Sequence, residues 1–367
     1  MSESTVPNVS VVRRLGNTLL MLVSPRGAVF VLLAILLVSI TVLNPHFAAP
    51  DQFIRFVQRV APTAIVAIGQ YFVVVSGEFD LSMGSVIAAQ VVISGNLIGQ
   101  DDSKSVPVLF LMLAFGILVG LVNGLVTTLL RVPSFIVTLG MMLALLGGVY
   151  YITGGSASGN PADGFREIGR GGIRDVPVFG IIPWAVIILA VALVAAIVIS
   201  RSPFGKSLIA VGDNVTTQRY SGVRVWWVKT SAFVISAVSS TIAGVLLVGY
   251  AGVHPSVGRG YEFIAITAVV LGGVVLGGGR GWVIAAVAGA FTLEALFTLL
   301  NFANVASTWR DTIQGLIIVA AVAYSAVAFR ARRKRRTPPA SPTPGKEPAP
   351  EGHPAEPAHT QQTMEVE

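Results

Sequence analysis

The feature of this sequence that most constrains its fold is a series of long apolar runs separated by short polar breaks. Two of these runs, residues 181–200 and 230–250, each hold about twenty residues, the length that a helix needs to cross a bilayer. A polar stretch of residues 201–229, called the island below, separates them. The pattern predicts an all-α integral membrane protein in which the island is a loop at one face of the membrane.

The composition supports a membrane protein and excludes several other classes. Hydrophobic residues make up 53% of the chain and charged residues 12%, whereas soluble domains carry about 25% charged residues. The chain has no cysteine, and its four histidines show no metal-ligand spacing, so we expect no metal, no redox centre and no cofactor. Much of the net charge of +7 lies in the basic run 330–336, which is typical of a membrane face and does not indicate a nucleic-acid partner.

The apolar runs predict about ten transmembrane helices with both termini in the cytoplasm. The predicted spans are residues 28–43, 60–76, 81–99, 108–130, 133–153, 181–200, 230–250, 261–276, 282–300 and 311–329. The segments 44–59, 154–180 and 251–260 are predicted to be loops on the outer side. Of the 25 Lys and Arg residues, 16 fall on the predicted inner side, 8 on the outer side and one in the tail. This bias favours the stated orientation, because basic residues accumulate in cytoplasmic loops.

Four regions follow from this pattern. Residues 1–27 are expected to form a cytoplasmic lead, and residues 28–329 a transmembrane domain, with the island as a cytoplasmic loop within it. Residues 330–367 begin with the basic run and continue as a proline-rich tail without an apolar run. Such a tail cannot bury enough surface to fold, so we expect it to be disordered in the cytoplasm.

The island carries five basic residues and one acidic residue, Asp213, which places it in the cytoplasm. Apolar residues stand between its charges: Phe204, Leu208, Ile209, Val211 and Tyr220. They predict a short helix with an apolar face that docks on a cytoplasmic protein. The alternative is a plain basic loop that only retains the chain's orientation. The sequence Gly205-Lys206-Ser207 does not complete a phosphate-binding loop, because position 200 is Ser where that motif requires Gly.

Three acidic residues at membrane depth are candidates for a substrate path, since ionisable groups are costly there. Glu294 falls near the middle of the predicted span 282–300, and Glu78 and Asp80 lie in the break between the second and third spans. Each has a structural alternative. Glu294 could hydrogen-bond to a neighbouring helix, and Asp80 could cap the third helix by accepting backbone N–H bonds.

Four segments resemble one known family. They are GEFDLSMGS at 77–85, VPSFIVTLGM at 132–141, FGKSLIAVGDN…SGV at 204–223 and GYEFIAITAVVLGG…GGRG at 260–281. They are similar, in the same order, to signature segments of the bacterial ABC-type sugar importer permeases of the ribose, xylose, arabinose and galactose group. The resemblance extends over about residues 60–329.

The resemblance implies a multi-pass protein of the bacterial inner membrane that moves a monosaccharide into the cell and has no catalytic residues of its own. It implies that two permease copies enclose one path in the bilayer. A cytoplasmic ATPase subunit would dock on the island, and an extracytoplasmic sugar-binding protein would deliver the sugar. The residues that it assigns to ATPase coupling are Phe204, Gly205, Lys206, Leu208, Gly212, Asn214 and Gly222.

Two other classes compete with this interpretation. An ion-coupled secondary transporter of a small polar solute would use Glu294 as its coupling carboxylate. A membrane enzyme, such as a polyprenyl-phosphate transferase, would need clustered acidic and basic residues at a membrane face. The sequence offers only Glu78 and Asp80 for such a cluster, which argues against this class. Dependence of uptake on a separate ATPase distinguishes the first two classes.

Overall fold

The computed structural model describes residues 25–157, 159–306, 308–320 and 323. Most of these residues are helical, as the apolar runs predict. The helices are α1 (Pro25–Leu43), α2 (Pro50–Val75), α3 (Met83–Ile98), α4 (Ser105–Leu129), α5 (Ser134–Thr153), α6 (Asp163–Arg170), α7 (Trp184–Arg201), α8 (Pro203–Asp213), α9 (Val215–Tyr220), α10 (Val225–Ala251), α11 (Tyr261–Leu271), α12 (Val283–Phe302) and α13 (309–320). Short 3₁₀ helices lie at Pro45–Ala48 and Asp102–Lys104. Residues 1–24 of the predicted lead and the whole predicted tail, 330–367, lie outside the described residues.

Six helices in the described part of the chain are long and apolar enough to cross a bilayer: α2, α4, α5, α7, α10 and α12. Three shorter apolar helices, α1, α3 and α11, accompany them. These helices confirm the all-α membrane class. The predicted tenth span begins as α13, and its second half falls outside the described residues, so the number of ten spans stays a prediction.

Helices α2 and α10 form the centre of the bundle. They pack on each other, α10 also contacts α3 and α4, and α12 packs on α1, α2 and α11. Glycines bring α4 close to α10, because a Cβ on Gly120 or Gly124 would lie 2.6 Å from the Cα of Val234 or Thr230, respectively. Such close approach is the usual role of small residues in membrane helices. Helices α4, α5 and α7 are mostly exposed and therefore form the apolar outside of the chain.

The predicted loop 44–59 is partly wrong, because α2 begins at Pro50 and continues without a break to Val75. Its first turns are too polar to be recognised as part of an apolar span. They are held by aromatic packing, with the ring of Phe56 lying 5.4 Å from that of Phe47 and 6.2 Å from that of Phe291.

The predicted loop 154–180 also contains regular structure. It holds the short helix α6 and an antiparallel hairpin of β1 (Gly172–Val176) and β2 (Gly180–Pro183). Helix α6 rests on α10 through Gly169, where an added Cβ would lie 2.1 Å from the carbonyl oxygen of Leu246. The Gln58 side chain also donates a hydrogen bond of 3.0 Å to the Gly169 carbonyl. The two-stranded hairpin is a small addition within a loop, and the all-α class stands.

The prediction that residues 251–260 turn outside the membrane is wrong. Val253 packs against Gly95 near the end of α3, and Gly258 packs against Gly84 near its start. These two glycines are eleven residues apart on one helix, which corresponds to about 16 Å. The segment therefore returns along α3 into the bundle, and we call it the re-entrant segment.

Helix α11 begins where the re-entrant segment ends. It has 11 residues and is therefore about 16 Å long, about half of the apolar core of a bilayer. It replaces the predicted span 261–276, which was wrong in length. Gly260 precedes it with φ +87° and Gly273 follows it with φ +75°, so glycines in left-handed conformations border it at both ends.

Candidate functional site

The island folds into the two short helices α8 and α9, which confirms that it is more than an irregular loop. The Ser202 hydroxyl accepts a hydrogen bond of 3.4 Å from the Gly205 N–H at the start of α8. The Asn214 side chain accepts one of 3.0 Å from the Thr217 N–H and so caps α9. Side-chain oxygens at these positions satisfy N–H groups that have no partner within the helix. Because α10 begins at Val225, the island ends about five residues earlier than the sequence predicts.

The apolar face of the island is buried in the chain itself. The exposed fraction of Leu208 is 1%, and Val211 is fully buried in the same core. Phe204 and Ile209 pack against that core as partly buried residues. The prediction that this face docks on a partner is therefore wrong for Leu208 and its neighbours. Short loops of this kind bury their apolar residues against the ends of the helices that they connect.

The seven predicted coupling residues fall into two groups. Lys206, Asn214 and Gly222 are exposed and available to another protein. The second group is packed inside the chain: Phe204, Gly205, Leu208 and Gly212. Further exposed side chains lie beside the first group, including Arg219 and Tyr220, whose exposed fraction is 87%. The free surface of the island thus combines polar and basic side chains with the exposed aromatic rings of Tyr220 and, at the start of α10, of Trp226 and Trp227.

The end of α8 meets two other segments through glycines. A Cβ on Gly212 would lie 1.9 Å from the carbonyl oxygen of Val75, the last residue of α2. A Cβ on Gly278 would lie 2.8 Å from the Cα of Gly77, and one on Gly279 would lie 2.6 Å from the Cα of Asp213. We call the contact among Gly77, Gly212, Gly278 and Gly279 the glycine junction.

Backbone contact at the glycine junction is direct. The Gly279 N–H donates a hydrogen bond of 2.9 Å to the Val75 carbonyl. Gly77, Gly278 and Gly279 have φ values of +87°, +81° and +71°, a region that other residues enter at a cost. Three chain segments thus touch with no side chains between them, which makes the junction intolerant of substitution.

The break between α2 and α3 extends the junction to α5 and α10. The Phe79 N–H donates to the Ser134 hydroxyl at 3.1 Å, and the Phe79 carbonyl accepts from the Thr138 hydroxyl at 3.4 Å. Glu78 forms an ion pair with Lys229 on α10. The four segments that carry the family resemblance therefore meet in one place. Their similarity could be recognised in the sequence, whereas their contact could not.

Asp80 is buried in a hydrogen-bond network, with an exposed fraction of 1%. One carboxylate oxygen accepts from the N–H and the hydroxyl of Ser82, at 2.9 and 2.6 Å. The other accepts from the Ser236 hydroxyl on α10 at 2.6 Å. The Asn123 amide on α4 donates to the Ser82 hydroxyl at 2.9 Å. Helix α3 begins at Met83 with Ser82 at its cap position, so Asp80 is not the N-cap residue, although it accepts the Ser82 N–H just before the helix as the capping alternative expects. Its carboxylate also ties the break to α10.

Glu294 lies elsewhere in the bundle. Its carboxylate accepts a hydrogen bond of 2.9 Å from the Thr63 hydroxyl, which joins α12 to α2. Thr63 is twelve residues before Val75, which is about 18 Å along the helix. The three acidic candidates therefore do not form one cluster. The alternative considered from the sequence, in which Glu294 hydrogen-bonds to a neighbouring helix, is confirmed.

Loss of this bond should measurably lower stability. We expect Thr63→Val to reduce the free energy of unfolding by about 0.5–2 kcal/mol, because the partly buried Glu294 carboxylate loses its partner and hydrogen bonds between membrane helices are of this size. Glu294→Gln keeps an acceptor oxygen and should cost less. Thermal unfolding of the purified variants in detergent measures both effects. Thr216→Val, on the exposed face of α9, is the control, and equal melting of all the variants would contradict the prediction.

The fold and the site together define the class of this protein. It is a multi-pass membrane protein whose principal polar region joins helices. Within the described part of the chain, no three His, Asp or Glu residues lie close enough together to hold a metal ion. These features are those of a membrane transport subunit.

The chain belongs to the family described as branched-chain amino acid transport system / permease component, whose model matches residues 52–322. Named relatives confirm the resemblance to permeases of sugar importers. The Ribose import permease protein RbsC of Bacillus subtilis is 31% identical over 299 residues, which cover 80% of this chain and 90% of the relative. The L-arabinose transport system permease protein AraH of Escherichia coli is 32% identical over 310 residues, which cover 83% and 91%.

A third relative is named for a different substrate. The Autoinducer 2 import system permease protein LsrC of Yersinia enterocolitica is 30% identical over 262 residues, which cover 71% of each chain. No solved structure matches the chain significantly. The family and its relatives make this chain a multi-pass protein of the cell membrane.

Proposed function

We propose that this chain is the membrane-spanning permease subunit of an ATP-driven importer that moves a monosaccharide of the ribose or arabinose type into the cell. The observation that carries the proposal is the similarity to ribose and arabinose permeases, 31% and 32% identical over 80% and 83% of this chain, together with the family match over residues 52–322. This range includes all four segments that meet around the glycine junction. A permease of this kind supplies the path and the mechanical coupling, and the chemistry of ATP hydrolysis belongs to a partner.

The exposed polar side of the island is the proposed docking surface for the ATPase subunit in the cytoplasm. Lys206, Asn214 and Gly222 would contact the partner directly. The packed members of the predicted set would not contact the partner but would hold the island against the helix bundle. They are Phe204, Gly205, Leu208 and Gly212. This division follows from burial, since a side chain in the chain's own core is not available to a partner.

The glycine junction would carry a displacement of the island into the bundle. Backbone touches backbone where Gly212 and Gly279 meet the end of α2, so α8 cannot move without moving its neighbours. The Glu78–Lys229 ion pair and the Asp80–Ser236 hydrogen bond would pass that movement on to α10. Close-packed contacts of this type switch between discrete arrangements and deform little in between.

Two further partners complete the proposal. A second copy of the permease would pair with this one across the bilayer, through part of the apolar outside that α4, α5 and α7 form. A sugar-binding protein outside the cell would meet the end of the bundle opposite the island, where α6 and the hairpin lie. Both partners are inferred from the family.

The source of energy is the decisive test. We expect vesicles that contain this chain alone to accumulate no labelled D-ribose or L-arabinose under a proton or sodium gradient. A sugar importer of this class should accumulate one of them once the ATPase subunit, ATP on the island side and the binding protein on the other side are supplied. Uptake of radioactivity into the vesicles is the measurement.

A different outcome would favour the ion-coupled alternative. Gradient-driven uptake by the isolated chain would contradict the proposal and make Glu294 the first residue to replace. Failure of the ATPase subunit to co-purify with the permease would also contradict it.

A further inference from the structure

The re-entrant segment reaches the middle of the bundle. Gly84, which it contacts through Gly258, lies between two points at which α3 touches α10. Asp80, before α3, bonds to Ser236, and a Cβ on Gly244 would lie 3.5 Å from the carbonyl of Ile87. Ser236 and Gly244 enclose the midpoint of α10, a helix of 27 residues that is about 40 Å long. Gly258 therefore lies level with the centre of that helix.

The polar side chains of the re-entrant segment are exposed along its course, from His254, which follows the Val253–Gly95 contact near the end of α3, to Arg259, which follows Gly258 at the level of the centre of α10. His254, Ser256 and Arg259 are exposed, whereas Val253, Pro255 and Gly258 are buried against the bundle. Arg259 directly follows the residue that packs on Gly84. The segment has one polar side that faces away from the protein's own core.

Lipid cannot cover such a surface. Non-helical backbone at membrane depth is tolerated where it is buried in protein or lines a water-filled cavity, because hydrocarbon offers no hydrogen bonds. An arginine in the middle of the bilayer likewise needs water or a partner. Arg259 is exposed in the single chain, so its surroundings must be polar.

We propose that the re-entrant segment lines the water-filled passage of this permease, with His254, Ser256 and Arg259 as the groups that meet a polar, uncharged solute. The inference rests on the proposed function and adds the location of the path. The His254 Nδ1 accepts a hydrogen bond of 3.1 Å from the Ser256 N–H. In the neutral ring this leaves the proton on Nε2, which is free to donate to a solute hydroxyl.

The arrangement suits a sugar better than an ion. Arg259 and the His254 Nε2–H offer donors, and the Ser256 hydroxyl can donate and accept. A solute with many hydroxyl groups can exchange such partners one after another as it moves. One acidic residue lies beside this surface: Glu262 at the start of α11 is largely buried, and its Oε2 would lie 2.1 Å from a Cβ on Gly84. Glu78, Asp80 and Glu294 are not part of this surface, because their described partners are Lys229, Ser236 and Thr63.

Water access can be measured directly, since the chain has no cysteine and each single-cysteine variant carries one reactive thiol. We expect Ser256→Cys and Arg259→Cys in the intact chain in lipid vesicles to react with MTSET, a charged methanethiosulfonate. Ser156→Cys in the exposed loop after α5 is the water-facing control. Val194→Cys on α7, where the exposed fraction of Val194 is 60%, is the lipid-facing control. We expect the two path variants to react at least about tenfold faster than Val194→Cys, because the reactive thiolate needs a polar environment.

Reaction of Ser256→Cys as slow as that of Val194→Cys would overturn the proposal. Ser256→Cys changes one small side chain, so it remains informative if Arg259→Cys does not fold. The labelling needs neither ATP nor a binding protein, so it tests the passage even if the chain is not an ATP-driven importer. In the complete importer, MTSET treatment of Ser256→Cys should also block uptake of the sugar that is carried, and full uptake after complete labelling would count against the proposal.

Discussion

Leu208→Asp is expected to remove folded protein from the membrane, whereas Lys206→Asp, two residues away on the same helix, should leave the fold intact. Leu208 is buried in the core under the island, and Lys206 is exposed. Loss of the leucine packing alone costs about 2–5 kcal/mol, and an unpaired carboxylate in the same place adds a desolvation cost. The amount of monodisperse protein after detergent extraction and its melting temperature measure the difference.

The same pair of variants separates folding from docking. Lys206→Asp reverses a charge on the proposed docking surface, so it should reduce the amount of ATPase subunit that co-purifies while the melting temperature stays unchanged. If Leu208→Asp instead folds normally and loses only the ATPase, the apolar face of the island must be free to dock. That result would restore the interpretation that the sequence alone favours and would contradict the burial of Leu208.

Gly258→Ala should be the most damaging single-methyl change in the re-entrant segment. Its Cβ would lie 1.9 Å from the Gly84 carbonyl oxygen and 2.9 Å from the Ala88 nitrogen, and both of these atoms are backbone atoms that cannot rotate away. Overpacking of this kind costs about 1–3 kcal/mol or more. We expect a clear loss of thermal stability and, through displacement of the segment from α3, faster labelling of a cysteine at position 256.

Gly147→Ala is the matched control for this change. Gly147 lies on the exposed side of α5, and an added Cβ there would meet nothing within 4 Å. Alanine in a helix is favoured over glycine by about 0.5–1 kcal/mol, so this variant should be as stable as the parent or slightly more stable. Equal melting temperatures for Gly258→Ala and Gly147→Ala would show that the re-entrant segment does not pack on α3 as described.

The sequence predicts long buried or lipid-facing helices well because hydropathy over about twenty residues is a strong signal. Helix α5 begins and ends within one residue of its predicted bounds, and α12 differs by two residues at its end. The predicted helix bounds are wrong where a helix is shorter than a membrane span or where part of it is polar. The first turns of α2 are polar, and α11 is too short to be distinguished from part of a longer span.

In the candidate site, too, some residues could be predicted from the sequence and others could not. Glu78 and Asp80 could be found because charges within apolar sequence are rare and need partners. Their partners Lys229 and Ser236 could not, nor could Asn123, which donates to the neighbouring Ser82 hydroxyl. Serine and asparagine are common in such helices, and a basic residue at a helix end has an ordinary explanation. The burial of Leu208 was missed for a related reason, because an apolar face in a loop does not reveal whether it packs inward or outward.

The glycine contact between α6 and α10 has a consequence for how the bundle can move. A Cβ on Gly249 would lie 2.6 Å from the Cα of Gly169, so the two backbones touch at the end opposite the island. At its other end α10 is bound to the α2–α3 break through Lys229 and Glu78. Helix α10 is thus held by contacts at both ends. If it tilts about its middle, the end that contacts α6 and the end nearer the island must move in opposite directions. A displacement of the island at one face of the membrane would in this way move α6 at the other face. The length of α10 and its register against its neighbours would not need to change.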